Sequence, residues 1–184
     1  MKQGLIFLSI LSVLTLKAQQ DKVLLTENGK VEFVSEAPLE IIKASSSALK
    51  GAIDLDKQTF VFVLENQTFT GFNSALQQEH FYENYMETAK YPKTTFTGRI
   101  IEPLNIVHGT TQIVRAKGIL DLHGVKHERM IKAEISYEPD YMKLNSSFTI
   151  LLDDHRIRIP KVVSKKISPE IRVRVQADLK PNQP

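Results

Sequence analysis

The chain has 184 residues, 42% of them hydrophobic and 24% charged, with 8 Gly, 8 Pro and no Cys. At a soft prior of roughly 150 residues per domain this is one domain, and the composition excludes disorder, collagen and coiled coil as the main architecture. The formal charge of +3 shrinks without residues 1–18, which hold Lys2 and Lys17 and no acid; 22 basic residues then face 21 acidic ones, and no general case for binding nucleic acid or an anionic surface remains.

Residues 1–18 read as a secretory leader. Lys2 supplies the positive end, and Gly4 to Leu16 is apolar apart from Ser9, Ser12 and Thr15. Ala18 is the small residue at the cleavage point, with Gln19 starting the mature chain. The apolar run is shorter than the roughly 20 residues that a transmembrane helix needs, and no later segment approaches that length. The expectation is a periplasmic or secreted protein whose domain spans 19–184 and has no transmembrane segment. Lack of cysteine excludes disulfides, a lipid-attached cysteine at the cleavage site, thiolate zinc sites and cysteine nucleophiles. The mature chain of 166 residues is long enough to rely on its core alone.

From residue 31 onward the hydrophobic period is two, the period of a strand. Val31-Glu32-Phe33-Val34-Ser35 opens the pattern, and Leu49, Gly51, Ile53 and Leu55 share the next apolar face. Phe60, Phe62 and Leu64 alternate with Val61 and Val63, which predicts a strand covered on both sides. Ser74 to Lys90 breaks the pattern: Leu76, Tyr82, Tyr85, Met86 and Ala89 suit a short helix, with Ser74 as N-cap and Pro92 beyond its end. Strand periodicity resumes at Phe96, Gly98 and Ile100, then at Val114, Ala116, Gly118, Leu120 and Leu122. A tight hairpin is expected at Gly124-Val125. Ile131, Ala133, Ile135 and Tyr137 follow, then Leu144, Ser146, Phe148 and Ile150. Pro160 and Pro169 bracket a connection to the last strand, whose apolar face is Ile171, Val173, Val175, Ala177 and Leu179.

Eight or nine such strands with one short helix predict an all-β fold. A closed antiparallel barrel, which removes exposed edges, is the first choice and a sandwich the alternative. The apolar faces include Gly51, Gly98, Ala116, Gly118, Ala133 and Ala177. Small residues at these places either leave an apolar tunnel or let a packed barrel taper and bend.

Catalytic signals are weak. No phosphate loop, GxGxxG, HExxH, GxSxG or calcium-loop pattern occurs. His123 and His127 flank the expected hairpin and would approach each other across it, but two imidazoles without a third ligand do not make a zinc site. Glu79-His80 and Asp153-Asp154-His155 set acids beside imidazoles without an implied nucleophile or oxyanion site. From His155 to Arg174, seven cations stand against the single acid Glu170. Strand alternation would place Arg156 and Arg158 on one face and Arg172 and Arg174 on another, as a phosphate-binding patch or an ordinary solvated surface.

The segment Gln78-Glu79-His80-Phe81-Tyr82-Glu83-Asn84-Tyr85-Met86, followed by Lys90-Tyr91-Pro92-Lys93-Thr94-Thr95-Phe96-Thr97-Gly98, resembles the YceI-like family of polyisoprenoid-binding proteins. So does Gly118-Ile119-Leu120-Asp121-Leu122-His123-Gly124-Val125, which is similar to the family's Gly-x-Leu-x-Leu-His-Gly-Val hairpin, and so does Leu49-Lys50-Gly51-Ala52-Ile53-Asp54. Together these motifs span about residues 30–180. The resemblance implies a lipocalin-like antiparallel barrel of about eight strands, exported, and holding a long isoprenoid chain inside. Where many members carry an Asn-Arg-Ser-Asp-Phe-Gly-like run, this chain has Leu151-Leu152-Asp153-Asp154-His155-Arg156-Ile157.

The expected function is therefore carriage or sequestration of an amphiphilic lipid, not catalysis. A ligand-free structural or envelope stress protein is the alternative. No cofactor is indicated; the ligand expected from the resemblance is an isoprenoid lipid or quinone. Strand parity selects Ile53, Phe62, Phe96, Ile100, Val114, Leu120, Ile131, Ile135, Phe148 and Val175 as candidate ligand contacts.

Overall fold

Alternating apolar and polar residues become strands because successive side chains leave a strand on opposite faces. In the computed structural model, which describes residues 23–182, eight strands do this: Val23–Glu36 (β1), Ile41–Asp54 (β2), Thr59–Glu65 (β3), Lys93–Ile100 (β4), Thr111–Leu122 (β5), Val125–Tyr137 (β6), Met142–Leu151 (β7) and Glu170–Pro181 (β8). The segment read as a leader lies outside the described residues. Each strand pairs antiparallel with the next, and β8 returns to β1, so the expected barrel is closed.

β1 and β2 begin well before the alternation that announces them. In β1 the pairing shifts register around Gly29, and a bulge interrupts the period that a sequence reader follows. In β2 the polar run Ser45-Ser46-Ser47 hides an inward position. Ser46 is buried, and its hydroxyl meets that of Thr68 at 2.7 Å. An inward serine is stable there because its hydrogen bond is made inside the protein.

The strand ends divide the connections into two sets. The upper end carries 37–40, 66–92, the β5–β6 turn and 152–169; the lower end carries 55–58, 101–110 and 138–141. The helix expected over 74–90 is shorter than its pattern. Ala75–His80 (α1) is α-helical, with the Ser74 side chain accepting from the Gln77 backbone as the predicted N-cap. Then Met86 N–H donates to the Phe81 carbonyl at 2.8 Å, a π-type turn that widens the helix and ends it. Fully buried Asn66 fastens both ends of this connection: its Nδ2 donates to the Tyr91 carbonyl, and its Oδ1 accepts from Thr94 Oγ1, each at 2.8 Å.

Four expectations are corrected. Val61 is 40% exposed, so β3 is covered on its inner side only; the barrel has no outer layer there. Gly98 and Gly118 pair across β4 and β5. A Cβ on Gly98 would strike the Lys117 carbonyl, and one on Gly118 the Thr97 carbonyl. These glycines let two backbones close together and leave no room in the interior. Arg156 and Arg158 are not on a strand: Arg156 has φ of 58° and caps a 3-10 turn over Asp153–His155. The same turn removes the strand face that Asp153 and His155 would have shared. Arg172 and Arg174 do lie on β8, exposed on its outer face, where Arg172 pairs with Glu36 at 2.9 Å.

Candidate functional site

The buried side chains form two clusters stacked along the barrel. The lower one is sealed by Leu24, Tyr137, Met142, Ala177 and Leu179. The upper one includes Val31, Leu64, Phe69, Met86, Ile157 and Val173. A cavity of about 530 Å³ runs between them and on beneath the upper connections, within the roughly 300–1,000 Å³ usual for small-molecule sites.

All ten residues selected by strand parity stand on the wall of this cavity. They fall into two groups. Ile53, Ile100, Val114, Leu120, Ile131 and Ile135 are buried and form the tighter part of the wall. Phe62, Phe96, Phe148 and Val175 point inward in mid-strand yet are only half-buried. An inward side chain stays accessible only where its neighbours fail to fill the barrel, so these four border the hollow part. Half-buried Ala116 lines it too, and there the small residue does leave room; Ala133 also lines the cavity but is itself buried. Gly51 is different again, since a Cβ there would run into the Phe62 ring.

Strand parity missed the upper wall. Phe33 stacks on Phe81 with centroids 5.4 Å apart, and Phe72 lies 5.0 Å from Phe81 and 6.0 Å from Phe33. Phe69 meets Phe33 edge-on at 5.2 Å. All four rings line the cavity, as do Met86 and Ile157. Most of these residues sit in connections, which have no period to reveal a face. The available signal was the density of aromatics in 69–85, more than a short surface connection needs.

The polar side chains on the wall are mostly committed to the protein. Ser146 Oγ donates to the Lys132 carbonyl at 2.7 Å, and Ser35 Oγ accepts from the Ser168 backbone at 2.9 Å. Asn66 and Thr94 bond each other, while Glu40 accepts from Gln77 at 3.0 Å. His80 and Lys166, both exposed at the upper rim, have no side-chain partner among the described residues. The wall can therefore hold a hydrocarbon, whereas polar recognition is confined to the rim. A site of this kind gives a water molecule few partners.

The histidines do not meet as the hairpin spacing suggested. The turn is His123–Gly124, one residue before the expected Gly124-Val125 because Val125 already pairs with Leu122 in β6; its φ of 53° and 70° are the positive-φ pair of a type I′ hairpin. His123 Nδ1 donates to the His155 carbonyl at 3.0 Å, and its Nε2 lies 2.8 Å from Glu87. His127 instead packs its ring 5.1 Å from that of His155 and donates to the Asp154 carbonyl at 2.8 Å. Among the described residues no group of His, Asp and Glu is arranged to hold a metal ion.

The profile of the YceI-like domain matches residues 23–179. The chain belongs to the YceI-like family. The match takes in seven strands whole and β8 up to Leu179, and solved structures show the same barrel. A polyisoprenoid-binding domain from Saccharophagus degradans, implicated in plant cell wall breakdown, superposes with a TM-score of 0.73 at 16% identity, over 88% of this chain and 99% of that one. BcnA of Burkholderia cenocepacia gives 0.68 at 11% identity, over 82% and 95%. The YceI protein of Campylobacter jejuni gives 0.51 at 14% identity, over 97% and 98%. At these identities the likeness is one of fold. No curated protein matches the sequence.

Proposed function

We propose that this YceI-like barrel is an exported lipid-binding protein that holds the hydrocarbon chain of an isoprenoid lipid or isoprenoid quinone in its interior, for carriage or sequestration. The observation that carries the reading is the cavity itself. Its wall is aliphatic and aromatic, its few polar side chains are mostly satisfied within the protein, and mid-strand rings such as Phe62, Phe96 and Phe148 are left unfilled against it. Each methylene buried there contributes about 0.8 kcal/mol, so a long chain binds without polar contacts to its length. The polyisoprenoid-binding domain of S. degradans shares the fold, which supports a prenyl chain over other lipids, and the leader-like residues 1–18 support export. Neither catalytic spacing in the sequence nor an acid–base constellation at the cavity favours an enzyme.

The test is to purify the protein from its export compartment without detergent, extract it with organic solvent and identify the released lipids by mass spectrometry. A stoichiometric prenyl lipid or quinone is expected. Protein free of any amphiphile, and unable to take up a prenol or quinone added in vitro, would overturn the proposal.

A further inference from the structure

Large apolar side chains belong inside a barrel or scattered singly over its surface; at the upper rim several are exposed together. Leu39 is 67% exposed, Ile41 53%, Leu76 59% and Val162 89%. They come from three segments that the structure fastens to one another. The Leu39 backbone donates to the Lys165 carbonyl at 3.0 Å. Asn73 Nδ2 donates to the Ile41 carbonyl at 3.0 Å, and Gln77, next to Leu76, donates to Glu40. The cavity reaches the surface among these segments, since Leu76, His80, Val163, Lys166 and Ile167 line it.

Beside this apolar rim lies a stretch of one charge. From His155 to Pro169 the chain has Arg156, Arg158, Lys161, Lys165 and Lys166 and no acid. All five are exposed, and none is ion-paired among the described residues. The acids of this end are mostly engaged or set in other segments. Glu36 pairs with Arg172, Glu65 with Lys93 and Glu87 with His123, and Glu40 accepts from Gln77 and Asn73. Glu79 and Glu83 are exposed on 66–92, and Asp153, Asp154 and Glu170 flank the basic stretch. The excess is local in a chain whose sequence beyond residue 18 is nearly neutral.

We propose that this rim docks the barrel on an anionic lipid bilayer, with Leu39, Leu76 and Val162 entering the headgroup boundary and the cations of 156–166 lying over anionic headgroups. Peripheral attachment draws on both contributions, apolar insertion and attraction to anionic lipid. The exposed ends of the three fastened segments offer both at one place. Docking in this pose sets the cavity mouth against the bilayer, so a prenyl chain can pass between membrane and barrel without crossing water. The docking needs no bound ligand; only its role in loading and release rests on the proposed function.

Flotation with vesicles of phosphatidylcholine alone, or mixed with phosphatidylglycerol, tests it. The protein is expected to float with the mixed vesicles, to stay behind with neutral ones, and to be released as salt rises. Replacing Lys161, Lys165 and Lys166 together with Gln, or introducing Val162→Asp with Leu39→Asp, should each weaken binding by at least ~tenfold. These side chains are exposed, and circular dichroism confirms the fold of each variant. Absence of flotation, equal binding to neutral vesicles, or unchanged binding by both variants would overturn the proposal. So would self-association of the wild type, seen by light scattering, that the apolar substitutions abolish while flotation is unaffected. Binding lost with the lysines but kept by the aspartate variant would overturn the insertion. Lipid content measured on the same preparation before vesicles are added keeps the two readings apart: lipid-loaded protein that does not float refutes docking alone, and floating protein that neither carries nor takes up a prenol or quinone refutes carriage alone.

Discussion

His155 shows how one residue can owe its state to packing. The side chain is fully buried, its Nδ1 donates to the Leu122 carbonyl at 3.3 Å, and its Nε2 has no partner. Burial, and then the neighbouring His127, push its pKa below the ordinary histidine range, against the opposing pull of the Leu122 and Val125 backbone and, least, of Asp154. Because the folded pKa is lowered, the unfolded chain takes up this proton first. The contribution to stability is complete above the unfolded value, about 6.5, and declines as pH falls below it toward the folded value. Thermal unfolding across pH 5 to 8 should thus show a lower melting temperature on the acid side. His155→Asn, which keeps a donor toward Leu122, should lower the plateau and flatten that slope. A variant with the wild-type slope would assign the acid lability to another group.

At the scale of the element, the β5–β6 hairpin binds the upper end together. Its His123 bonds Glu87 of one long connection and the His155 carbonyl of the other, and its Gly124 lies against Tyr91. Gly124 has φ of 70°, and a Cβ there would run into the Tyr91 ring; Gly109 has φ of 76° but open space around it. Both positions disfavour an L side chain through the backbone, but only Gly124 adds a clash. Gly124→Ala should cost more than Gly109→Ala, by about 1–3 kcal/mol for the overpacking, as read from denaturant midpoints. Equal costs would mean that Tyr91 yields freely and that its ring does not hold Gly124 to the minimal side chain.

The whole molecule departs from a packed barrel at its centre. Ala116 and Ala133 line the cavity from β5 and β6, and the larger Phe62, Phe96 and Phe148 line it from β3, β4 and β7. Ala116→Leu should extend into unfilled space, so it should lower bound lipid severalfold while the melting temperature stays near that of wild type. In a filled core the same change would instead cost about 1–3 kcal/mol through overpacking. Solvent extraction with mass spectrometry and a thermal melt on one preparation separate the outcomes. Unchanged lipid with a lowered melting temperature would remove Ala116 from the binding surface.

Wherever neighbouring residues alternate, the facing of a side chain is a local property of the strand, and the sequence determines it alone. That is why β5, β6 and β8 were legible residue by residue, and why parity led to ten wall positions. The turn at His123–Gly124 and the cap at Ser74 are local in the same sense, set by backbone dihedrals and one hydrogen bond. The upper half of the cavity is not local. Phe69, Phe72, Phe81 and Ile157 face the barrel because two aperiodic connections fold over its end, held by Asn66, Tyr82 and the bond from His123 to the His155 backbone. Glycine carries the same lesson: Gly98 and Gly118 read like tunnel-makers beside Ala116, and only the approach of β4 to β5 shows that they are contacts. Periodicity can state which way a residue points, but the space in front of it depends on how far away the opposite wall stands, and only the closed barrel decides that distance.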